Sequence, residues 1–215
     1  MKEESERKYI DDLIRHTKDS IHYFSNDMKN VRERSVCAAL LRCLGIEFTP
    51  GEILPNSDDP PDVFCKSACF EVLELYDKRR KRLDEYKVRL KELEEAKSIE
   101  DTLVPFHRPA PISYKELLDE ILVALNSKAV KYGKRFCSDL DALVYIGLPN
   151  RFLDIKSPIP ENNELSSQGW RSVSFVMTPF SHIFFCNGNV PLFLTTFAGQ
   201  TRGEWKEPDG FFDLE

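Results

Sequence analysis

Two acidic residues, Asp62 and Glu71, lie on what the sequence predicts to be the two strands of one β-hairpin. The residue pattern favours strands over residues 62–66 and 69–75, with a tight turn between them. Side chains alternate along a strand, and directly paired residues point to the same side. With the turn at Ser67, the two carboxylates become diagonal neighbours on one face, close enough to bind one hard cation.

This pair of acids is suited to metal-dependent chemistry on a phosphate. Magnesium favours sites with one or two carboxylates and several waters, and a bound ion can polarise a phosphate and activate a water. Glu33 is a third candidate ligand, because it shares a face of a predicted helix with Val36 and Leu40. We therefore predict Mg²⁺ or Mn²⁺ held by Glu33, Asp62 and Glu71.

A structural role for the same acids is the alternative. Asp62 follows two prolines and could simply begin a strand. Glu71 could be a charge on an edge strand that resists aggregation. Glu33 could form an ordinary ion pair on a helix face.

The order helix-Glu, Pro-Asp on a strand, then Glu on the next strand resembles the PD-(D/E)xK nuclease superfamily. That resemblance implies a restriction-endonuclease-like core with the element order αβββαβ, if a short strand lies around residues 47–49. It also implies a lysine two residues after the second acid, where this chain has Leu73. Lys66 and Lys78 are the candidate replacements for a cation that stabilises charge in the transition state.

A narrower resemblance covers about residues 5–200. The stretches PPDVFCKSACFEVLELYDKRR and QGWRSVSFVMTPFSHIFFCNGNVPLFL look like the bacterial family named domain of unknown function 1780. Its members are described as uncharacterised proteins or candidate endonucleases. The resemblance implies a fold and, more loosely, an activity, and it assigns no catalytic residue.

Candidate contacts to nucleic acid lie in two places. Residues 78–82 are a dense basic block, in which Arg79, Arg80 and Lys81 could contact phosphates, although a solvated helix start is the simpler explanation of the block. Trp170 could stack on a base and Arg171 could bind a phosphate. The alternatives are partly buried packing for Trp170 and an ion pair with a carboxylate such as Glu74 for Arg171.

Composition limits the class of protein. The chain has 215 residues, 41% of them hydrophobic, and a formal net charge of -6, which gives no overall attraction to nucleic acid. It lacks a long apolar run and an apolar N-terminal segment, so we expect neither a membrane span nor export. The six cysteines form no CxxC pair, which favours reduced thiols and a cytoplasmic location.

The periodicity predicts an α/β (α+β) fold, with a central mixed β-sheet flanked by helices and a long charged helix after the hairpin. We divide the chain into an N-terminal helix (residues 1–26), a nuclease-like domain (27–199) and a tail (200–215). The helix predicted for residues 76–97 carries an apolar seam from Tyr76 to Leu93. That seam packs on the core or, alternatively, forms a homodimer.

Two functions follow from these patterns. The first is a metal-dependent endonuclease that hydrolyses DNA or RNA with a degenerate PD-(D/E)xK site. The second is an inactive nuclease scaffold that binds nucleic acid or a protein partner, which the leucine at position 73 favours.

Overall fold

The structure is a computed structural model that describes residues 2–58, 60–77 and 81–203. Seven helices are found among these residues: α1 Lys2–Tyr23, α2 Lys29–Cys43, α3 Arg82–Glu95, α4 Tyr114–Tyr132, α5 Lys134–Cys137, α6 Asn163–Ser167 and α7 Leu192–Thr196. Nine strands accompany them: β1 Ile53–Pro55, β2 Val63–Cys65, β3 Ala68–Leu75, β4 Ala110–Ile112, β5 Asp141–Ile146, β6 Arg151–Leu153, β7 Ser172–Met177, β8 Phe180–Cys186 and β9 Thr201–Arg202.

Seven of the strands form one mixed sheet in the order β1-β2-β3-β5-β7-β8-β9. Strands β1, β2 and β3 are an antiparallel meander, whereas β3, β5 and β7 are parallel, and β8 and β9 return antiparallel. Long apolar stretches at β5 and β7 are buried, as expected of central parallel strands. The predicted class, a mixed α/β fold with a central mixed sheet flanked by helices, is confirmed.

The sheet has one apolar core on each face. Helix α2 supplies Val36, Cys37 and Leu40 to the core that contains Phe70 and Val72 of β3. Helix α4 supplies its own apolar residues to the other core, which contains the alternate residues of β3, Leu73 and Leu75. Because side chains alternate along a strand, Glu71 belongs to the face that α4 covers.

The sheet unit has the element order α2-β1-β2-β3-β4-α4-β5, which matches the predicted αβββαβ order only if β4, which lies outside the seven-stranded sheet, is left out. The first strand of that series was misplaced, because residues 47–49 form no strand and β1 begins at Ile53. Arg34 of α2 donates to the carbonyl of Ile53 at 2.9 Å and so fixes the helix to this strand. The assignment to a restriction-endonuclease-like core itself stays a prediction.

The hairpin turn lies one residue earlier than predicted. Lys66 and Ser67 both have positive φ, at 46° and 71°, which is the requirement of a two-residue type I′ turn. Phe64 therefore pairs with Cys69 rather than with Glu71. The shift changes which residues face each other across the hairpin.

The chain divides into two compact units. One comprises residues up to Arg32 together with Asp77–Arg108, and it contains α1 and α3. The other comprises Glu33–Tyr76 and the described residues from Pro109 onward, and it contains the sheet. The sequence division at residue 26 therefore differs from the structural one, and residues 201 and 202 of the predicted tail pair with β8.

The long charged helix is shorter than predicted, since α3 begins at Arg82 and Tyr76 lies outside it. Within its own unit α3 packs against α1: Phe24 stacks on Tyr86 with ring centroids 5.5 Å apart, and Leu93 is buried. The homodimer through this helix stays a prediction.

The segment between β5 and β7 has secondary structure of its own. It contains the short strand β6, which pairs in parallel with β4, and the short helix α6. Among the described residues, no helix combines the length and apolarity needed to cross a membrane.

Candidate active site

Asp62 lies next to the strand that carries Glu71. The observed pairing of the hairpin ends with Val63 opposite Phe70. The backbone N–H of Asp62 donates to the carbonyl of the same Phe70 at 2.9 Å, one residue out of that register, so Asp62 lies outside the regular ladder. The charge of its carboxylate acts on Glu71, while the shared strand face stays a prediction.

Glu71 is fully buried and takes both of its observed partners from α4. Lys128 forms an ion pair with Oε1, and the hydroxyl of Tyr132 donates to the same oxygen at 2.9 Å. The other oxygen, Oε2, is buried without a hydrogen-bond partner. A buried carboxylate oxygen of this kind requires a proton, a water or a cation.

The electrostatics of Glu71 reflect competition between burial and pairing. Burial raises the pKa of this carboxyl above its ordinary value, and the charge of Asp62 adds to the rise, while Lys128 and Tyr132 oppose it. Burial lowers the pKa of Lys128, but the hydrogen bond and charge of Glu71 outweigh this and leave that pKa raised. Burial and then the bond to Glu71 raise the pKa of Tyr132 to about 12. Lys128 therefore stays charged and Tyr132 stays a hydrogen-bond donor at neutral pH.

Asp62 is held by the backbone around it. Its side chain is 5% exposed, and Oδ2 accepts a hydrogen bond from the N–H of Val72 at 2.9 Å. Its carbonyl accepts from the N–H of Asn56 at 3.0 Å. These contacts fix one carboxylate oxygen on β3, next to Glu71.

Glu33 is buried on α2, whose apolar residues pack on the opposite face of β3. Among the described residues, no group of three or more His, Cys, Asp or Glu side chains is arranged to hold a metal ion. The predicted grouping of Glu33 with Asp62 and Glu71 is therefore not observed. Helical spacing correctly placed Glu33 on the apolar face of its helix, but it could not show which side of the sheet that helix covers.

Lys66, the first candidate to replace the lysine that is absent at position 73, forms an ion pair with Glu52 instead. It lies in the hairpin turn, and its ammonium is 2.6 Å from Oε1 of Glu52, whose pKa it lowers. Lys78, the second candidate, lies outside the described residues, as do Arg79 and Arg80. Lys81 is exposed immediately before α3.

Arg171 forms an ion pair with Asp141 and not with Glu74 as suggested from the sequence. Its Nε donates to Oδ1 of Asp141 at 3.0 Å, and its Nη2 contacts Oδ2. The fully buried Asp141 also accepts from Ser172 Oγ at 2.7 Å and from the N–H of Cys69 at 3.0 Å. Burial lowers the pKa of Arg171, but the bonds to Asp141 outweigh this and raise it.

Trp170 is 1% exposed and belongs to the core on the α4 face of the sheet. Its ring therefore offers no face for base stacking, and the structural alternative describes it better. Its indole Nε1 is buried and has no hydrogen-bond partner among the described residues.

Sequence reasoning missed Lys128, Tyr132 and Asp141. A signal existed for Lys128, because it lies three residues after Leu125 on the apolar stripe of α4, where a charged residue is unusual. Tyr132 follows at the i+4 position on the same stripe. Asp141 could have been noticed as an acid that begins an otherwise apolar strand.

Comparison with known proteins relates the chain to one protein family and to one solved structure. Residues 5–203 match the model of a family described as "Putative endonuclease, protein of unknown function (DUF1780)". A solved structure from Pseudomonas aeruginosa, described as a protein of unknown function in the monooxygenase superfamily, is 27% identical, with a TM-score of 0.65. The match covers 91% of this chain and 93% of that one. No curated protein matches the chain.

Proposed function

We propose that this chain, which belongs to the DUF1780 family, is a metal-dependent endonuclease whose active site is formed by Asp62, Glu71 and Lys128. The observation that carries the proposal is the buried, unpartnered Oε2 of Glu71 beside the carboxylate of Asp62. The family description supports endonuclease chemistry in general. The metal and the residue roles are our own inference.

The two carboxylates fit a small hard cation. Magnesium is commonly bound through one or two carboxylates with waters in its remaining positions. Asp62 and Glu71 supply that number of ligands from neighbouring positions, and each is fixed by a hydrogen bond or ion pair within the sheet unit. Bound there, Mg²⁺ or Mn²⁺ would polarise the phosphate and lower the pKa of a coordinated water.

Lys128 supplies the cation that is missing at position 73. Its ammonium contacts Glu71 from α4, and its side chain is 32% exposed, so it is accessible from solvent. A fixed positive charge beside the metal ligands stabilises negative charge on a phosphate during hydrolysis. The lysine thus reaches the site from a helix rather than from the strand that carries Glu71.

Tyr132 has a positioning role in this scheme. Its hydroxyl donates to Oε1 of Glu71, and together with Lys128 it occupies that oxygen and leaves Oε2 for the ion. It also opposes the burial that raises the pKa of Glu71. Both effects keep the carboxylate available as a metal ligand.

The test is a cleavage assay on single- and double-stranded DNA and RNA with Mg²⁺, with Mn²⁺ and with EDTA. We expect metal-dependent internal cleavage of at least one substrate, and loss of about 100-fold or more in rate for Asp62→Asn and for Lys128→Met. Asp19→Asn is the matched control, because Asp19 is exposed on α1. Cleavage by Asp62→Asn at the wild-type rate would overturn the proposal.

The second function, an inactive scaffold that binds nucleic acid, is the outcome if the wild type binds but cuts nothing under any of these conditions. The ion pair of Glu71 with Lys128 favours it, since that contact already neutralises the buried carboxylate without a metal. A Mn²⁺ titration separates the two functions. Only the endonuclease requires a bound ion, and its affinity for Mn²⁺ should fall in Asp62→Asn and in Glu71→Gln.

A further inference from the structure

A cavity of about 490 Å³ lies where β5 and β7 begin and β8 ends. Its volume lies within the range of small-molecule sites. The polar groups that line it come from the three connections at that edge of the sheet: Ser138, Asp139, Trp170, Arg171, Asn187 and Asn189.

Arg171 contributes a positive charge in a fixed orientation. Its Nε and Nη2 are held by Asp141, which leaves the rest of the guanidinium free of that contact. Its backbone is fixed as well, because its N–H donates to the carbonyls of Cys137 and Leu140 and its own carbonyl accepts from Asn187 at 2.7 Å. An arginine held in this way is preorganised to bind a planar or phosphate acceptor.

Trp170 provides an independent indication of a ligand. It is one of the residues that line the cavity although it is 1% exposed, and its buried Nε1 donor has no partner among the described residues. Buried donors of this kind are rare in native proteins and usually have a partner in a bound water or ligand. The cavity is the space beside Trp170 from which an acceptor atom could approach.

The remaining polar groups have the donor and acceptor pattern that reads a base. Asn187, Asn189 and Asp139 are exposed at the cavity. An Asn amide can form paired hydrogen bonds with adenine, and an Asp carboxylate can accept from the amino group of cytosine. Together with the charge of Arg171, these groups match one nucleotide rather than a simple anion.

The cavity is linked to the strand that carries Glu71. Asp141, which holds Arg171, pairs with Phe70 in the sheet, one residue from Glu71, and accepts from the N–H of Cys69 at 3.0 Å. Cys69 and Glu71 are two residues apart on the same strand face, which separates them by roughly 7 Å. A nucleic-acid strand with a phosphate at Glu71 can therefore place a neighbouring nucleotide at Arg171.

We propose that this cavity binds one unpaired nucleotide of the substrate strand, with its phosphate at Arg171 and its base at Asn187, Asn189 and Asp139. That this nucleotide belongs to the strand being cut rests on the proposed endonuclease function. A base in a duplex cannot enter such a cavity without leaving its stack, so single-stranded or locally unpaired nucleic acid is the substrate class.

The test uses the fluorescence of Trp170 and needs neither metal nor turnover. The chain has two tryptophans, so Trp205→Phe leaves Trp170 as the reporter. The full-length chain with Trp205→Phe and Asp62→Asn is titrated in EDTA with the four nucleoside 5′-monophosphates, with the free nucleosides and with inorganic phosphate. We expect a saturable fluorescence change with at least one monophosphate, and binding of that monophosphate at least about 5-fold tighter than its nucleoside or phosphate.

Variants at the exposed asparagines test the same site without disturbing the core. Asn187→Ala and Asn189→Ala are each expected to weaken nucleotide binding about 5-fold or more, whereas Asn126→Ala, on an exposed part of α4, leaves it unchanged. The proposal is overturned if no monophosphate gives a saturable change, if phosphate binds as tightly as the nucleotides, or if both asparagine variants bind like the parent.

The outcomes for cavity and active site are separable. If the protein binds a nucleotide but cuts nothing, the nucleotide site in the cavity is supported and the endonuclease activity is rejected. If it cuts single- and double-stranded substrates at equal rates with a metal and binds no mononucleotide, the endonuclease activity is supported and the nucleotide site is rejected.

Discussion

Lys128 contacts the buried carboxylate of Glu71 from the apolar stripe of α4, one turn before Tyr132 donates to the same oxygen. Lys128 follows Glu71 by 57 positions in the chain, and Tyr132 follows it by 61. Helix α4 therefore supplies both the charge and the hydrogen-bond donor that make a buried glutamate tolerable on β3.

Replacing this lysine should destabilise the fold. Lys128→Met leaves the buried Glu71 without its cation, and we expect a loss of about 1–3 kcal/mol in the free energy of unfolding. Without Lys128, the pKa of Glu71 in the folded state rises further above its value in the unfolded chain. The loss in the free energy of unfolding therefore grows as pH rises from 5 to 8, because the unfolded chain releases this proton more readily. Urea unfolding at both pH values measures it, and Lys115→Met, which breaks an exposed pair with Asp119, should cost less than about 0.5 kcal/mol. Equal losses for both variants would contradict this account.

Removing the tyrosine hydroxyl should weaken metal binding in acid. The hydrogen bond from Tyr132 lowers the pKa of Glu71, so Tyr132→Phe lets that pKa rise further. Because a carboxylate must lose its proton to bind a metal, the pH of half-maximal Mn²⁺ binding should shift upward, with little change above pH 8. Tyr9→Phe is the control, since Tyr9 is exposed on α1. A shift that is equal at every pH would indicate a general structural effect instead.

The pair of Asp141 and Arg171 should show strong coupling. Asp141 is fully buried and Arg171 is 15% exposed, so either single replacement leaves a poorly solvated charge. We expect Arg171→Met to cost about 3–5 kcal/mol, and Asp141→Asn combined with Arg171→Met to cost less than the sum of the single changes. A double-mutant cycle in urea measures the coupling, and strict additivity would show that the ion pair is not energetically significant.

His182 should make the protein acid-sensitive. It is fully buried among Tyr114, Phe175 and Phe184, with Nδ1 3.0 Å from Thr201 Oγ1, and burial lowers its pKa to about 4. The unfolded chain binds this proton near pH 6.5, so the stability from the neutral imidazole is complete above that pH and is lost as pH falls toward 4.

The measurement compares unfolding free energies at pH 7.5 and pH 5. Between them the wild type should lose about 2 kcal/mol more than His182→Gln, a difference set by the two pKa values. His107→Gln, at an exposed histidine, should lose as much as the wild type. A wild type and His182→Gln with the same pH dependence would show that His182 titrates normally.

Local patterns in the sequence identified much of the sheet unit. Periodicity predicted the helix that carries Glu33 and the two strands of the hairpin, because each spans enough residues for the pattern to be distinctive. It failed for β1, β4 and β6, which have three residues each, too few for alternation to be recognised. The hairpin turn was misplaced by one residue because Lys66 adopts positive φ without being glycine.

The sequence by itself determined that a hairpin with a short turn brings Asp62 back next to the strand that carries Glu71, since a short turn leaves little freedom. It could not determine which cation meets Glu71, because Lys128 is distant in sequence and is brought to β3 only when α4 packs across the sheet. Tertiary packing also places Glu33 on a helix that covers the other face of the sheet, and it brings Arg171 into an ion pair with Asp141. The tertiary structure alone decided these partners, because a buried charge pairs with the opposite charge nearest in space, whatever its position in the chain.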